Sequence, residues 1–297
     1  MSSIHYTKCP ACSSLEIKNI FSVKDFTVSG ELFPVAECNN CKVRFTQGIP
    51  GSASIAQYYQ SEDYISHTNT SKGFINRLYQ LVRKRTIRNK RKLIEKVTGM
   101  QKGVLLDVGS GTGSFVSKMK QAGWQVTGLE PDEAARKVAK NLYGIELENT
   151  DKLFQLPIEN FDVITLWHVL EHVHDLTAYI QQLRSLLKSN GKLIIAVPNY
   201  TSKDAAIYKE YWAAYDVPRH LYHFSPYSME VLMKKNGLTI KQYKPMWYDS
   251  FYISSLSSKY KNGKIKFLSA FWNGFTSNLE TIADVKKCSS VIYIIGK

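Results

Sequence analysis

The residues from Asp107 to Gly113 carry the strongest chemical signal in the chain. Glycines occupy every second position, Gly109, Gly111 and Gly113, directly after the run Val104-Leu-Leu-Asp-Val108. Glycine has no Cβ, so such a loop turns sharply and lets its backbone approach a ligand closely. With a strand before it and a helix from Ser114, the loop can cradle a nucleotide-like molecule. Asp107 narrows the choice. A pyrophosphate cradle spaces its glycines G-x-G-x-x-G at a helix N-terminus, whereas here an acid precedes G-x-G-x-G and would repel a diphosphate. That carboxylate suits a cofactor with a cationic, amine-bearing tail. Glu130 follows Gly109 by 21 positions, at the end of a second apolar segment. A carboxylate there can accept hydrogen bonds from two ribose hydroxyls.

Cysteines form a second constellation. Cys9-Pro-Ala-Cys12 and Cys38-Asn-Asn-Cys41 are two C-x-x-C pairs, and Cys288 stands alone. Four thiolates at about 2.3 Å complete a closed tetrahedral zinc site of the structural kind. Residues 1–50 bury too little apolar surface to fold unaided, and the metal would supply the missing stability. A nucleic-acid-reading zinc finger is the alternative, but few basic or aromatic residues interleave the pairs.

Histidines form the third, at His168, His172, His174, His220 and His223. An imidazole of ordinary pKa suits removal of an acceptor's proton. His168 and His220 are the first candidates; His172 is the third, and could instead only fasten its loop. Tyr208, Tyr211, Trp212, Tyr215 and Tyr222 make the neighbouring segment aromatic, as an acceptor pocket, a lid or core packing.

The elements that must position these groups alternate. Strands are expected at Val104–Val108, Gln125–Leu129, Ile145–Glu148, Phe161–Leu166 and Lys192–Val197. Between them helices are expected at Ser114–Ala122, Glu133–Tyr143 and Leu176–Lys188, the last closed by Asn190-Gly191. A helix to Lys235, a strand from Leu238 to about Trp247 and a last strand Ser290–Ile295 follow. Alternation of this kind gives an α/β fold, a parallel sheet covered on both faces, with ligands beyond the carboxyl ends of the strands. The division expected is a zinc-ribbon-like module over 1–50, a linker and basic helix over 51–99, and the main domain over 100–297. An insertion at about 249–287 is rich in Phe and Trp and predicted helical, with an amphipathic membrane-surface helix as the alternative. The linker carries Tyr58-Tyr59 and Tyr64 and could fold over the ligand.

The 297 residues are 44% hydrophobic and 22% charged, an ordinary globular composition. No run is long and apolar enough for a membrane span, and residues 1–12 lack the pattern of a signal peptide, so a cytoplasmic location is expected. The net charge of +14 is concentrated in part between Arg83 and Lys92. That stretch is read as a solvated helix face, with RNA or anionic lipid as the alternative partner.

Taken together, Leu105-Leu-Asp-Val-Gly-Ser-Gly-Thr-Gly113, Gly128-Leu-Glu-Pro-Asp132, Phe161-Asp-Val-Ile164 and Trp167-His-Val-Leu-Glu-His172 resemble class I S-adenosylmethionine-dependent methyltransferases. The resemblance covers about residues 100–240. It implies a seven-stranded Rossmann-like sheet with a reversed last hairpin and S-adenosylmethionine across the first two strand ends. Gly109, Gly111 and Gly113 would pass under the methionine portion and Glu130 would hold the ribose. Pro131 would pack on the adenine, Asp151 would lie near its amino group, and Leu166 and Trp167 would line the opposite wall. The four-cysteine module resembles that of zinc-containing C-methyltransferases of nucleotide-linked deoxysugars. In Asp216-Val-Pro-Arg-His-Leu-Tyr-His-Phe-Ser225, His220 matches their histidine, while Arg219 stands where they carry a glutamate. The broader expectation is a methyltransferase of a small-molecule, glycan-like or nucleotide-sugar-like acceptor. An RNA methyltransferase gripping through the basic helix, and a non-catalytic S-adenosylmethionine-binding scaffold, are the alternatives.

Overall fold

The computed structural model describes residues 3–51, 54–59 and 74–297, the side chains of 74–80 excepted; Tyr64 lies outside the described residues. In the N-terminal part, β1 (Ser3–Ile4) pairs with β5 (Ile49–Pro50), and β2 (Ile17–Lys24), β3 (Leu32–Cys38) and β4 (Arg44–Thr46) form an antiparallel meander. A basic helix, α1 (Phe74–Thr98), leads into the main sheet.

That sheet is built from β6 (Val104–Val108), β7 (Gln125–Leu129), β8 (Phe161–Trp167) and β9 (Leu187–Pro198), all parallel, with β6, β8 and the second half of β9 mostly apolar and buried because both faces are covered. The crossovers are α2 (Ser114–Gln121), α3 (Glu133–Tyr143) and α4 (Leu176–Leu186). Leu176, Ile180, Leu183 and Leu186 recur at helical spacing and are all buried. Beyond β9 come α5 (Lys203–Tyr208), the short β10 (Tyr222–His223), α6 (Pro226–Lys235) and β11 (Thr239–Pro245). The predicted helical insertion is the hairpin α7 (Asp249–Asn262) and α8 (Phe267–Ala283), before β12 (Ser290–Gly296). Strand β12 runs antiparallel between β9 and β11, the expected reversed hairpin, and the order is β11-β12-β9-β8-β6-β7.

The main sheet has six strands, not seven. The expected third strand, Ile145–Glu148, contributes one parallel bridge, Leu129 to Glu148. Ile145 and Leu147 turn into a small cluster with Val116 and Ala139, and the Asn149 side chain accepts from the Asp151 amide and starts a 3-10 turn, Thr150–Gln155, that ends the pairing.

Asn190-Gly191 does not close a helix. Helix α4 stops at Leu186, and β9 already pairs at Leu187 with Phe161. Gly191 lies in β9 where its register against β8 shifts, and a Cβ there would meet the Leu187 side chain at 2.8 Å and the Phe161 carbonyl at 3.0 Å. Glycine serves there as a bulge residue. Among the described residues no helix is long and apolar enough to cross a membrane.

The two parts of the chain share a sheet. Strand β10 adds to the edge of β4, with Tyr222 opposite Phe45 and His223 opposite Arg44, giving the order β10-β4-β3-β2. Tyr222 thus brings residues 1–50 against the carboxyl ends of the main strands.

Candidate active site

The parallel register places Val108, Leu129 and Leu166 side by side, so Gly109, Glu130 and Trp167 leave adjacent strand ends together. Gly109, Gly111 and Gly113 all have φ between +53° and +75°, a region that favours glycine. A Cβ on Gly109 would clash with Val169 Cγ2 and one on Gly113 would lie 2.8 Å from Ala139 Cβ, whereas one on Gly111 would meet nothing within 4 Å among the described residues. Glu130 binds the loop from the neighbouring strand end, Oε2 accepting from the Gly111 amide at 2.7 Å and Oε1 from the Asp132 amide at 3.1 Å. Each oxygen keeps a further lone pair for a ligand hydroxyl. Burial raises its carboxyl above the usual value.

Asp107 is buried under the loop, where the Thr165 hydroxyl donates to Oδ1 at 2.6 Å. Burial pushes this carboxyl up to about 6, with Thr165 and Lys90 opposing. Leu166 is buried, and Trp167 packs edge-on to Phe115. Pro131 and Asp151 are exposed at the end of β7 and on the 3-10 turn.

The basic helix contributes two groups read in the sequence only as solvated. Arg83 Nη2 donates to Thr112 Oγ1 at 2.9 Å and Ser114 Oγ at 3.1 Å. Lys90 Nζ lies 4.3 Å from the centre of the Trp167 ring. Burial lowers its ammonium to about 8, against the attraction of Asp107 and Asp249. The spacing Arg83, Ile87, Lys90, Ile94 is one helical face, and cations on the face of buried Ile94 were the available clue. Lys84, Arg85, Arg88 and Lys92 are exposed as expected.

Across the crevice the histidines divide. His168 follows β8 with φ +59°; its Nδ1 is 3.3 Å from Glu171 Oε1 and its Nε2 3.0 Å from Asp249 Oδ2. Burial alone would lower its pKa, but hydrogen bonds from the ring to both carboxylates outweigh burial and raise it to about 10. His172 and His220 pack edge to face, ring centres 4.6 Å apart. His172 Nδ1 bonds the Arg219 carbonyl at 2.9 Å and His220 Nδ1 the Ala214 carbonyl at 2.8 Å. A carbonyl only accepts, so both protons sit on Nδ1 and both Nε2 atoms keep their lone pairs. The Tyr59 hydroxyl is 3.1 Å from His172 Nδ1. Burial and the neighbouring His220 lower His172 to about 4. Ligand atoms of Glu171, His172 and His220 lie within 4.8 Å of one another, a spacing that could hold a cation. Among the described residues, Glu171 Oε2 is buried with no hydrogen-bond partner.

Arg219 faces away from the crevice. It is 1% exposed, and its guanidinium donates to Asp25 Oδ1 at 3.0 Å, Thr27 Oγ1 at 2.9 Å, the Tyr58 carbonyl at 2.8 Å and Asp216 Oδ1 at 2.7 Å. It ties the N-terminal part to the loop that carries His220. His223 and His174 stand outside the cluster, against Thr46 Oγ1 and the Pro50 carbonyl. Trp212 and Tyr215 are core residues, Trp212 Nε1 donating to Asp204 at 2.8 Å.

The four cysteine sulfurs lie within 4.8 Å of one another, Cys9–Cys41 and Cys12–Cys38 at 3.5 Å. A tetrahedron with metal–sulfur distances of about 2.3 Å has edges of about 3.8 Å, so the cluster fits one ion. Each pair turns identically. The Ser13 and Lys42 amides donate to the Cys9 and Cys38 carbonyls at 2.9 Å, and both residues have positive φ.

A family model described as a methyltransferase domain matches residues 79–243, more than half of the chain. The ubiquinone biosynthesis O-methyltransferase of Actinobacillus pleuropneumoniae (serotype 5b, strain L20) is 36% identical over 121 residues, covering 37% of this chain and 51% of that protein. Its namesake from Xanthomonas axonopodis pv. citri (strain 306) is 30% identical over 160 residues, covering 49% and 66%. The chain thus spans about half the length of the first of these relatives. Magnesium protoporphyrin IX methyltransferase from Synechocystis PCC 6803, solved with bound SAH, superposes with a TM-score of 0.53 at 15% identity, covering 82% of this chain and 99% of that one. Phosphoethanolamine N-methyltransferase 2 from Haemonchus contortus gives 0.53 at 18%, covering 86% and 61%. At these identities the likeness is one of fold.

Proposed function

Because the chain belongs to the methyltransferase-domain family, we propose that it transfers a methyl group from S-adenosylmethionine to a hydroxyl of a small-molecule acceptor. The observation that carries this reading is that two groups of residues follow the carboxyl ends of adjacent parallel strands, the loop and Glu130 after β6 and β7, and His172, with His220 packed on it, after β8. Glu130 binds the loop, and both histidines have fixed tautomers. The residues fit the cofactor: open space over Gly111 among the described residues, free lone pairs on Glu130, and cations at Arg83 and Lys90 for a carboxylate. When bound, S-adenosylmethionine supplies a methyl group on a sulfonium.

The chain's own residues align the acceptor and take its proton. His220 is the base, through Nε2, with Asp216 Oδ2 4.0 Å from that atom. His172 orients it by edge-to-face contact, and Tyr59 closes the wall. His168 is unsuited to accept a proton at neutral pH, because Asp249 and Glu171 keep it charged; it is a fixed cation that positions Glu171. Pro131 and Asp151 are assigned to the adenine edge, Leu166 and Trp167 to the opposite wall. Oxygen is favoured as the acceptor atom by the names of the curated relatives. A sugar-linked acceptor is favoured by the four-cysteine module and the Asp216–Ser225 segment. Cys9, Cys12, Cys38 and Cys41 are assigned one structural zinc.

A screen of hydroxyl-bearing sugars, nucleotide sugars and phenols with methyl-labelled cofactor tests the reading. Label should enter an acceptor oxygen with the wild type and not with His220→Ala. Absence of any S-adenosylmethionine-induced melting shift would overturn it. Metal analysis of fresh protein should return one zinc per chain.

A further inference from the structure

Helix α8 is inside out. Its buried positions are Ala270, Gly274, Ser277 and Thr281, while Leu268 (90% exposed), Phe271 (61%), Trp272 (61%), Leu279 (48%) and Ile282 (73%) face outward. In a helix that covers a core the large apolar residues face inward, as Leu176, Ile180, Leu183 and Leu186 of α4 do. The partner helix α7 buries Ser250, Ile253, Ser254, Ser257 and Ser258, Ser257 Oγ accepting from the Ala213 amide, and where it meets α8, Gly274 lies so close to the Phe251 backbone that a Cβ would be 3.0 Å from its Cα. A glycine thus lets the two helices approach closely, as small residues do between helices in lipid, and the rings of α8 are spent outward. Phe271 stacks on Phe251 and Phe275, and Trp272 packs on Phe275, so the outward face is continuous. A contiguous apolar surface of this kind marks an interaction site.

Charge identifies the occupant. Lys261, Lys264 and Lys266 are exposed immediately before α8, and Glu280, 3.0 Å from Lys203, is the only acid between Ser250 and Ala283. A second copy of a chain with net charge +14 would meet repulsion. An anionic surface would be attracted. The helix has 17 residues, about 25 Å of length lying flat, and is too polar on its inner side to span.

We propose that the α7–α8 hairpin docks this protein on anionic phospholipid bilayers, the outward aromatic face entering the headgroup boundary and the lysines meeting lipid phosphates. The pattern is that of an interfacial helix with aromatic residues at the water boundary. The proposal is independent of the acceptor's identity.

The test is sedimentation of the full chain with vesicles of phosphatidylcholine mixed with phosphatidylglycerol, and with vesicles of phosphatidylcholine alone. The wild type should sediment with the anionic vesicles and much less with the neutral ones. Its vesicle-bound to free ratio should fall about tenfold or more in Leu268→Ser/Trp272→Ser, and comparably in Lys264→Glu/Lys266→Glu, with melting temperatures unchanged. Failure of the wild type to sediment with anionic vesicles would overturn the proposal, as would equal binding by the variants. So would light scattering that shows a dimer which Leu268→Ser/Trp272→Ser converts to a monomer without any vesicle binding.

Discussion

The two walls of the crevice are built differently. The proposed cofactor wall is local: Asp107, the glycine loop and Glu130 fall within 24 consecutive residues, and parallel register makes them neighbours. The proposed acceptor wall is assembled from afar. His220 stands in place because Arg219 reaches Asp25, His172 because it bonds the Arg219 carbonyl, and His168 because Asp249 arrives from the hairpin. The first wall is a property of one strand–loop–helix unit. The second is a property of the whole molecule. Damage to the first should therefore cost cofactor binding and leave the fold intact, whereas damage to the second should cost catalysis or stability and leave cofactor binding intact.

The largest effect should come from His220→Ala, lowering kcat by roughly 10²–10⁴-fold in initial-rate measurements. Calorimetric affinity for S-adenosylmethionine should not change. A parallel loss of affinity would merge the two walls and sink the distinction. Arg219→Leu strands the buried Asp25 and leaves Asp216 without its guanidinium. It should reduce unfolding free energy by about 3–5 kcal/mol in denaturant titration. A loss within error would show that the tie is dispensable.

Glu130→Gln should weaken S-adenosylmethionine binding by roughly ten- to a hundredfold, with the cofactor-free melting temperature unchanged. A lowered melting temperature would mean that Glu130 supports the loop more than the ligand. The smallest effect is a pH dependence. The His168 pKa is raised from 6.5 to about 10, so its ion pairs contribute fully below 6.5 and are lost as pH rises through 10. The partner carboxylates are lowered, so the acid limit lies near or below their usual 3.8–4.5. His172, lowered to about 4, acts oppositely, its contribution fading as pH falls from 6.5 to 4. Against the wild type, His168→Gln should remove about 1 kcal/mol of stability near pH 6 and almost none above pH 10. An equal difference at both pH values would show that the pairs do not titrate as described.

The same contrast decides what was legible. Strands β6, β7 and β8, the loop and Glu130 were readable because apolar runs, glycine spacing and a carboxylate at a fixed offset are local signals. Asn190-Gly191 misled because the same dipeptide can end a helix or make a bulge, and only the partner strand chooses. Arg219 was read as a departure at the acceptor site; its partner Asp25 lies 194 positions away, and no pattern in either stretch announces the pairing. Lys90 could be read one step further than it was, from its place on the face of Ile94. The rings of α8 were visible as a helical stripe, but periodicity gives a face without saying which way it points.

The pairing of β10 with β4 has a consequence for how such a chain can change. Because Tyr222 and His223 finish the sheet of the four-cysteine part, that part is not an interchangeable appendage. A transplant of residues 100–297 without it would bare the edge of β10 that pairs with β4 and leave the His220 loop without its anchor. A change in the four-cysteine part is thereby also a change in the surroundings of His220, and the two segments must vary together.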